Sequence, residues 1–277
     1  MNAHFQKYTL NFKQASGTSR GVYTTRDSWF IFLSDGTHTG IGECAPLPDL
    51  SIESPKRMSS KLLQVCEQIG YFIQSPEELN AWPSIRFGLE TALLDLKNGG
   101  KQELFPSAFT RGEQGIPING LIWMGTPEFM KQQIRAKLDA GFRCIKMKIG
   151  ALDFETELEL LKAIRSEFSP DEITLRVDAN CAYSYQTALE NLKRLSDLQI
   201  HSIEQPIQTG RWNEMAELCR KSPVPIGLDE ELIGISSGKE MQKLLETIHP
   251  AYLILKPSLH GGFAGCEKWI DQAEKIG

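Results

Sequence analysis

The sequence has no apolar run approaching the roughly 18 residues that a membrane-crossing helix needs. A membrane-embedded role is therefore not expected. It also has no surplus of positive charge: 30 Lys and Arg stand against 35 Asp and Glu, a formal net charge of −5. Nucleic acid or an anionic membrane surface would favour a basic face, so neither is the expected partner. A small acidic molecule stays open, because a local cationic site can sit in an acidic protein. There is no CxxC pair. The cysteines at 44, 66, 144, 181, 219 and 266 are scattered, which argues against a disulfide framework or a zinc site and for reduced thiols in a cytoplasmic protein. No GxGxxG follows the first strand of the strand–helix region, which weakens a dinucleotide-binding reading. The opening MNAHFQKYTLNFKQ alternates polar and apolar residues, the pattern of a strand and not of a signal peptide.

What is present suits one large domain or two smaller ones: 277 residues, 41% hydrophobic and 23% charged. Two rhythms divide them. In the first part, YTLNF and SWFIFLSDG read as strands, and SDG marks a turn. GIGECAPLPDLS reads as a loop from its Gly and Pro content. Helical patterns follow in SPKRMSSKLLQVCEQIGYFI and IRFGLETALLDLKNGG, with Gly99 as a stop. Residues 1–112 are thus expected to form an α+β domain.

From there the pattern changes, and residues 113–277 are expected to form a second domain. Six short apolar runs (PINGLIW, FRCIKMKI, ITLRVDAN, IHSIEQPI, PIGLDE and AYLILKPS) alternate with amphipathic helices such as DFETELELLKAIRSEF. That alternation predicts parallel βαβ units, in a barrel or a long doubly wound sheet.

Strands two to six of this region each end in an ionisable residue: Lys146 and Lys148, then Asp178, Glu204, Asp229 and Lys256. From Lys148 onward the intervals are 30, 26, 25 and 27 residues, close to the ~30 residues of one βα unit in a barrel. Alternation puts Lys146 and Lys148 on one face of their strand and Ile145, Met147 and Ile149 on the other. Leu175 and Val177 oppose Asp178 in the same way, and Leu253 and Leu255 oppose Lys256. The apolar faces can pack on outer helices, so the charges point into the barrel, at the strand ends where barrel active sites lie. A single charge at a strand end is usually a solvated loop residue; five successive strands repeating it is not. In an eight-stranded barrel the second and sixth strands are opposed, so their lysines face each other across the mouth. Three carboxylates lie between them. Three oxygen ligands without His or Cys suit Mg²⁺ or Mn²⁺. Lys146 either supports catalysis or only pairs with a carboxylate. Asn180 shares the Asp178 face, either as a supporting group or as a turn residue.

The stretches KMK at 146–148, VDAN at 177–180, IEQP at 203–206, LDE at 228–230 and LKPS at 255–258 resemble the enolase superfamily, muconate-lactonizing subgroup. SGTSRG at 16–21, GIGECAPLPDLS at 40–51 and LKPSLHGG at 255–262 most resemble its o-succinylbenzoate synthase branch, of menaquinone biosynthesis. The resemblance implies a capping α+β domain over a modified TIM-like (β/α) barrel, with the loops near 16–21 and 43–51 closing over the substrate. It implies Asp178, Glu204 and Asp229 as Mg²⁺ ligands, Lys148 as acid and base with Lys146 lowering its pKa, and Lys256 as a cation on the opposite substrate face. Asn180, Glu230 and Ser258 lie in the same stretches and are expected to support these groups or touch substrate. The implied reaction is syn elimination of water, through an enediolate, from a succinyl-hydroxycyclohexadiene carboxylate.

Three other readings stand beside it. On the same frame, an N-acylamino-acid racemase or dipeptide epimerase would use Lys148 and Lys256 as two bases. A Schiff-base aldolase barrel would use one lysine as nucleophile. A non-catalytic remnant would keep only the residues. A closed barrel needs eight strand positions and six are read here, so the barrel is expected to be cut short after its sixth strand and helix, about 60 residues from closure. The rival expectation is a compact variant covered by the first domain or a second chain.

Overall fold

The structure, a computed structural model, describes residues 1–18 and 21–277. Its first sheet is antiparallel, in the order β1 (Asn2–Thr18), β2 (Gly21–Ser34), β3 (Thr39–Cys44). The Asp35 carboxylate shapes the tight β2–β3 turn by accepting from the backbone N–H of Thr37 and His38, at 2.8 Å each. Helices α1 (Met58–Glu67), α2 (Ile69–Gln74) and α3 (Pro83–Lys97) follow. They cover the apolar face of β2, whose Trp29, Ile31 and Leu33 are buried against Leu62, Val65, Leu89 and Ala92. Burying one such aliphatic side chain contributes about 1.5–3 kcal/mol. Gly99, at φ +85°, ends α3 as its sequence indicates.

Two expectations fail here. GIGEC is not a loop; it forms most of β3. Its glycines answer to packing, because a Cβ on Gly42 would sit 1.8 Å from the carbonyl oxygen of Gly88 in α3. Sheet and helix backbones touch there, and only glycine fits. The long helix expected over 54–73 is a 3₁₀ turn (Pro55–Arg57), then α1 and α2, separated where Gln68 leaves helical geometry at φ −115°, ψ 34°.

The second part alternates strand and helix as far as β9. It runs β4 (Gly120–Ile122), α4 (Pro127–Asp139), β5 (Cys144–Lys148), α5 (Phe154–Glu167), β6 (Thr174–Asp178), α6 (Tyr185–Ser196) and β7 (Ser202–Glu204). It continues with α7 (Trp212–Lys221), β8 (Ile226–Leu228), α8 (Gly238–Ile248), β9 (Tyr252–Leu253), α9 (Pro257–His260) and α10 (Gly262–Glu274). The six strands are parallel, in sequence order, with β4 and β9 as the edges among the described residues. This is a TIM-like arrangement over six strand positions. Side-chain caps set the helix starts: the Thr126 hydroxyl accepts from Phe129 N, Asp153 from Glu155 N and Thr156 N, and Ser184 from Thr187 N. One core runs between sheet and helices, with Ile145, Met147, Leu175, Val177 and Ile203 fully buried.

The two parts meet at α3 and α10. The Glu90 carboxylate accepts from the backbone N–H of Phe263 and Ala264, at the first turn of α10, where a negative group is favoured. The rings of Phe87 and Phe105 meet Phe263 edge-on. This docking holds the chain just after Cys44 against the C-terminal ends of the parallel strands. No helix is long and apolar enough to cross a membrane among the described residues.

Candidate active site and metal centre

Strand pairing lines up the charged ends. Lys148 on β5 registers with Asp178 on β6, and Asp178 with Glu204 on β7. Asp229 directly follows β8, and Lys256 lies three residues past β9. Period-two alternation buries the intervening aliphatic residues behind the sheet, so the charges turn to the other side. One carboxylate oxygen from each of Asp178, Glu204 and Asp229 lies within 4.8 Å of the other two, and all three residues are buried.

The lysines ring this triad. Lys146 Nζ donates to Glu204 Oε2 at 2.6 Å and lies 3.4 Å from Asp178 Oδ2. Lys148 Nζ donates to Asp178 Oδ2 and to Asn180 Oδ1, both at 2.7 Å. Lys256 Nζ reaches both oxygens of Asp229, at 2.7 and 2.5 Å. Asn180 also donates from Nδ2 to Glu230 Oε1 at 2.9 Å, and its backbone N–H donates to Asp178 Oδ1 at 3.1 Å. Asn180 thus combines a turn position with hydrogen bonds to two of the charged side chains. Its φ of +43° is a turn conformation that asparagine tolerates, and its amide links Lys148 to Glu230. Ser258 differs: it sits half-buried on α9 and is not among the residues lining the cavity described below.

The charges compete unevenly. Burial raises the Asp178 pKa, but Lys148 and Lys146 outweigh it and hold the carboxyl below its ordinary range. Burial, reinforced by the negative charge of Asp178, pushes Glu204 up to about 7 despite its bond to Lys146. Burial opposes charge on Lys146 as well, yet Asp178 and Glu204 raise its pKa. Glu230 is raised by burial and by the charge of Asp229. Burial and the mutual repulsion of the carboxylates thus oppose ionisation of Glu204 and Glu230. Convergent oxygen donors whose negative charge is disfavoured in this way fit a hard divalent cation, which would relieve the repulsion.

A cavity of about 490 Å³ opens above the triad, between the two parts of the chain. Lys146, Lys148, Asp178, Asn180, Glu230 and Lys256 form its polar side. Leu47, Pro48 and Leu50 line it from the loop after β3, as expected for residues 43–51. Of the other expected closing segment, 16–21, Ser19 and Arg20 lie outside the described residues.

Sequence reasoning missed several contributors. Arg26 on β2 and Trp123 and Met124 after β4 line the cavity. Gln205, inside the IEQP stretch, is fully buried. Its Oε1 accepts from the backbone N–H of Asp229 and Glu231, both at 3.2 Å, so the residue after β7 fixes the residue after β8. Glu157 on α5 accepts from the backbone N–H of Gly150, Ala151 and Leu152, fixing the loop just beyond Lys148. A buried Glu in a helix's first turn, on an otherwise apolar face, was the available signal.

Comparison with known proteins agrees with this geometry. The enolase C-terminal domain-like family model matches residues 129–277, and the MenC N-terminal domain model matches residues 1–96. o-Succinylbenzoate synthase of Desulfotalea psychrophila is 44% identical over 309 residues, covering 100% of this chain and 84% of that protein. The crystal structure of MenC from Desulfotalea psychrophila aligns with a TM-score of 0.86, over 99% of this chain and 83% of that one. N-succinylamino acid racemase of Thermus thermophilus is 37% identical, over 88% of this chain and 67% of that protein. The o-succinylbenzoate synthase of Thermosynechococcus elongatus, solved with Mg in its active site, shares the fold with a TM-score of 0.78 at 23% identity, over 99% of this chain and 81% of that one.

Proposed function

This chain belongs to the enolase superfamily, and from that membership we propose that it is an o-succinylbenzoate synthase, a Mg²⁺-dependent carbon–oxygen lyase. The observation that carries the reading is the array itself: three carboxylates within 4.8 Å of one another, flanked by Lys148 and Lys256. The likeness to the Desulfotalea protein over the whole chain supports the particular reaction. In this reading residues 1–112 act as the cap and residues 113–277 carry the chemistry. The substrate is a small carboxylate, the succinyl-hydroxycyclohexadiene carboxylate of menaquinone biosynthesis, and the work is done in the cytoplasm.

Asp178, Glu204 and Asp229 would hold Mg²⁺, with Mn²⁺ as a substitute. Bound there, the metal would offset the negative charge that gathers on the substrate carboxylate when the adjacent proton leaves. Lys148, as the neutral amine, takes that proton. Asp178 and Asn180 hold its Nζ in place. Loss of the neighbouring hydroxyl then completes the double bond, and the Lys148 ammonium returns the same proton to it, so that water leaves from the same face. Lys256 remains cationic and faces the developing negative charge. Lys146, bonded to Glu204 Oε2 at 2.6 Å, is a second cation beside Lys148 on the same face of β5. Asn180 and Glu230 orient Lys148.

A second reading on the same site is N-succinylamino acid racemase activity. Lys148 and Lys256 each bond a different carboxylate of the triad, from strands at opposite ends of the array, and two such lysines can serve as paired bases. Turnover in D₂O decides. Rapid formation of o-succinylbenzoate with no deuterium entering an N-succinylamino acid supports the dehydratase alone. Deuterium entering the α-carbon, with no o-succinylbenzoate formed, overturns it.

A further inference from the structure

Four cationic side chains line the cavity: Lys146, Lys148, Lys256 and Arg26. The three lysines are hydrogen-bonded to the acidic triad. Arg26 is not, because it comes from the opposite wall, on β2 of the capping sheet. Among the described residues no carboxylate lies within ion-pair distance of it. Its one hydrogen bond there runs from Nη2 to the carbonyl oxygen of Ala45, at 2.6 Å. Its Nε is buried and has no partner. A buried donor left unbonded costs free energy, and the residue that carries it lines the cavity, where a ligand can reach the guanidinium. The Ala45 bond ties the guanidinium to the loop that carries Leu47 and Leu50. Leu121, Trp123 and Met124 line the same cavity. An anion taken into so apolar a space needs a cationic partner, and a guanidinium is the side chain that grips a carboxylate with two parallel hydrogen bonds.

We propose that Arg26 receives the second carboxylate of a dicarboxylate substrate, the one remote from the metal centre, while the apolar walls take the methylene chain between the two. This rests on the o-succinylbenzoate synthase reading, in which the remote carboxylate is that of the succinyl group. Arg26 is then a specificity-determining residue: it selects substrates that carry a second negative charge at the far end of the cavity.

The test compares two ligands that differ only there. o-Succinylbenzoate keeps the remote carboxylate, and 2-butyrylbenzoate replaces it with a methyl group. Affinities for both are measured by titration calorimetry on the Mg²⁺-loaded full chain, for the wild type and for Arg26→Met. A charged hydrogen-bonded pair of this kind corresponds to a preference of about 10- to 100-fold. The wild type should prefer o-succinylbenzoate by that factor, and in Arg26→Met the preference should fall to near unity. A purely structural role for Arg26 would weaken both ligands alike and leave the ratio unchanged; that result overturns the proposal. If Arg26→Met does not fold, Arg26→Gln, whose amide can still donate to Ala45, carries the same comparison. A wild type that binds both ligands equally also overturns the proposal while leaving the dehydratase reading standing. A wild type that binds neither ligand and forms no o-succinylbenzoate brings down that reading, and this proposal with it.

Discussion

Replacing Lys148 with alanine separates chemistry from architecture at this site. In the proposed reaction one amine removes a proton and then delivers it, so both halves of the elimination lose their proton carrier. A positioned acid or base contributes about 10²–10⁴-fold, and the double use places the expected loss in kcat at about 10³-fold or more. The structural cost is smaller. Breaking a fully buried ion pair leaves a bare charge and costs about 3–5 kcal/mol. Here Lys148 is 18% exposed, and Asp178 keeps Lys146 at 3.4 Å and the Asn180 backbone N–H at 3.1 Å. The loss should therefore be nearer about 1.5–3 kcal/mol, by the ordinary worth of one charged hydrogen bond. For a chain of this size that lowers Tm by roughly 3–12 °C. The assay is paired: o-succinylbenzoate formation at saturating substrate and Mg²⁺, and a thermal melt of the same sample. The account predicts a fold that survives and a reaction that does not. Turnover within about tenfold of wild type, in a variant that melts normally, would refute the role given to Lys148.

Glu157→Ala should destabilise the chain by about 2–4 kcal/mol, because three backbone N–H groups around Gly150 lose their acceptor; a melt within about 2 °C of wild type would contradict this. kcat should fall with it, since that loop follows Lys148. Glu53 supplies a pH dependence. Burial raises its pKa above 4.5, although it accepts from the Ser84 backbone N–H at 2.7 Å. The folded chain then holds this proton more tightly than the unfolded chain does. The stabilising contribution is full below 4.5, declines as pH rises through the folded value, and stays lost above it. Glu53→Gln should therefore be more stable relative to wild type at about pH 8 than at about pH 4, measured by denaturant titration. A stability difference equal at both pH values contradicts the sign.

The charged array could be read from the sequence because it follows two simple periods. Side chains alternate every second residue along a strand, and successive βα units repeat at near-constant length, so Lys148, Asp178, Glu204, Asp229 and Lys256 announce a shared position. The structure brings these residues together. What escaped is what depends on contacts remote in sequence. The glycines of GIGEC look like loop punctuation until α3 is seen lying on them at Gly88. Arg26 is one charge among many in a β-strand, and only the docking of the cap over the strand ends turns it toward the cavity. Gln205 carried no signal of its own within the IEQP stretch, because nothing local indicates that its amide reaches the backbone of Asp229 and Glu231. Ser258 shares a stretch with Lys256 and sits on α9, which begins at Pro257, outside the cavity lining.

The central claim is that the buried triad holds a metal on which dehydration depends. The most direct measurement follows o-succinylbenzoate formation from the succinyl-hydroxycyclohexadiene carboxylate with Mg²⁺, after chelation, and after Mg²⁺ is restored, for the wild type and Asp229→Asn. The account predicts turnover that chelation abolishes and Mg²⁺ restores in the wild type, and no restoration in Asp229→Asn at the same Mg²⁺ concentration. Dehydration that persists undiminished under chelation would contradict it.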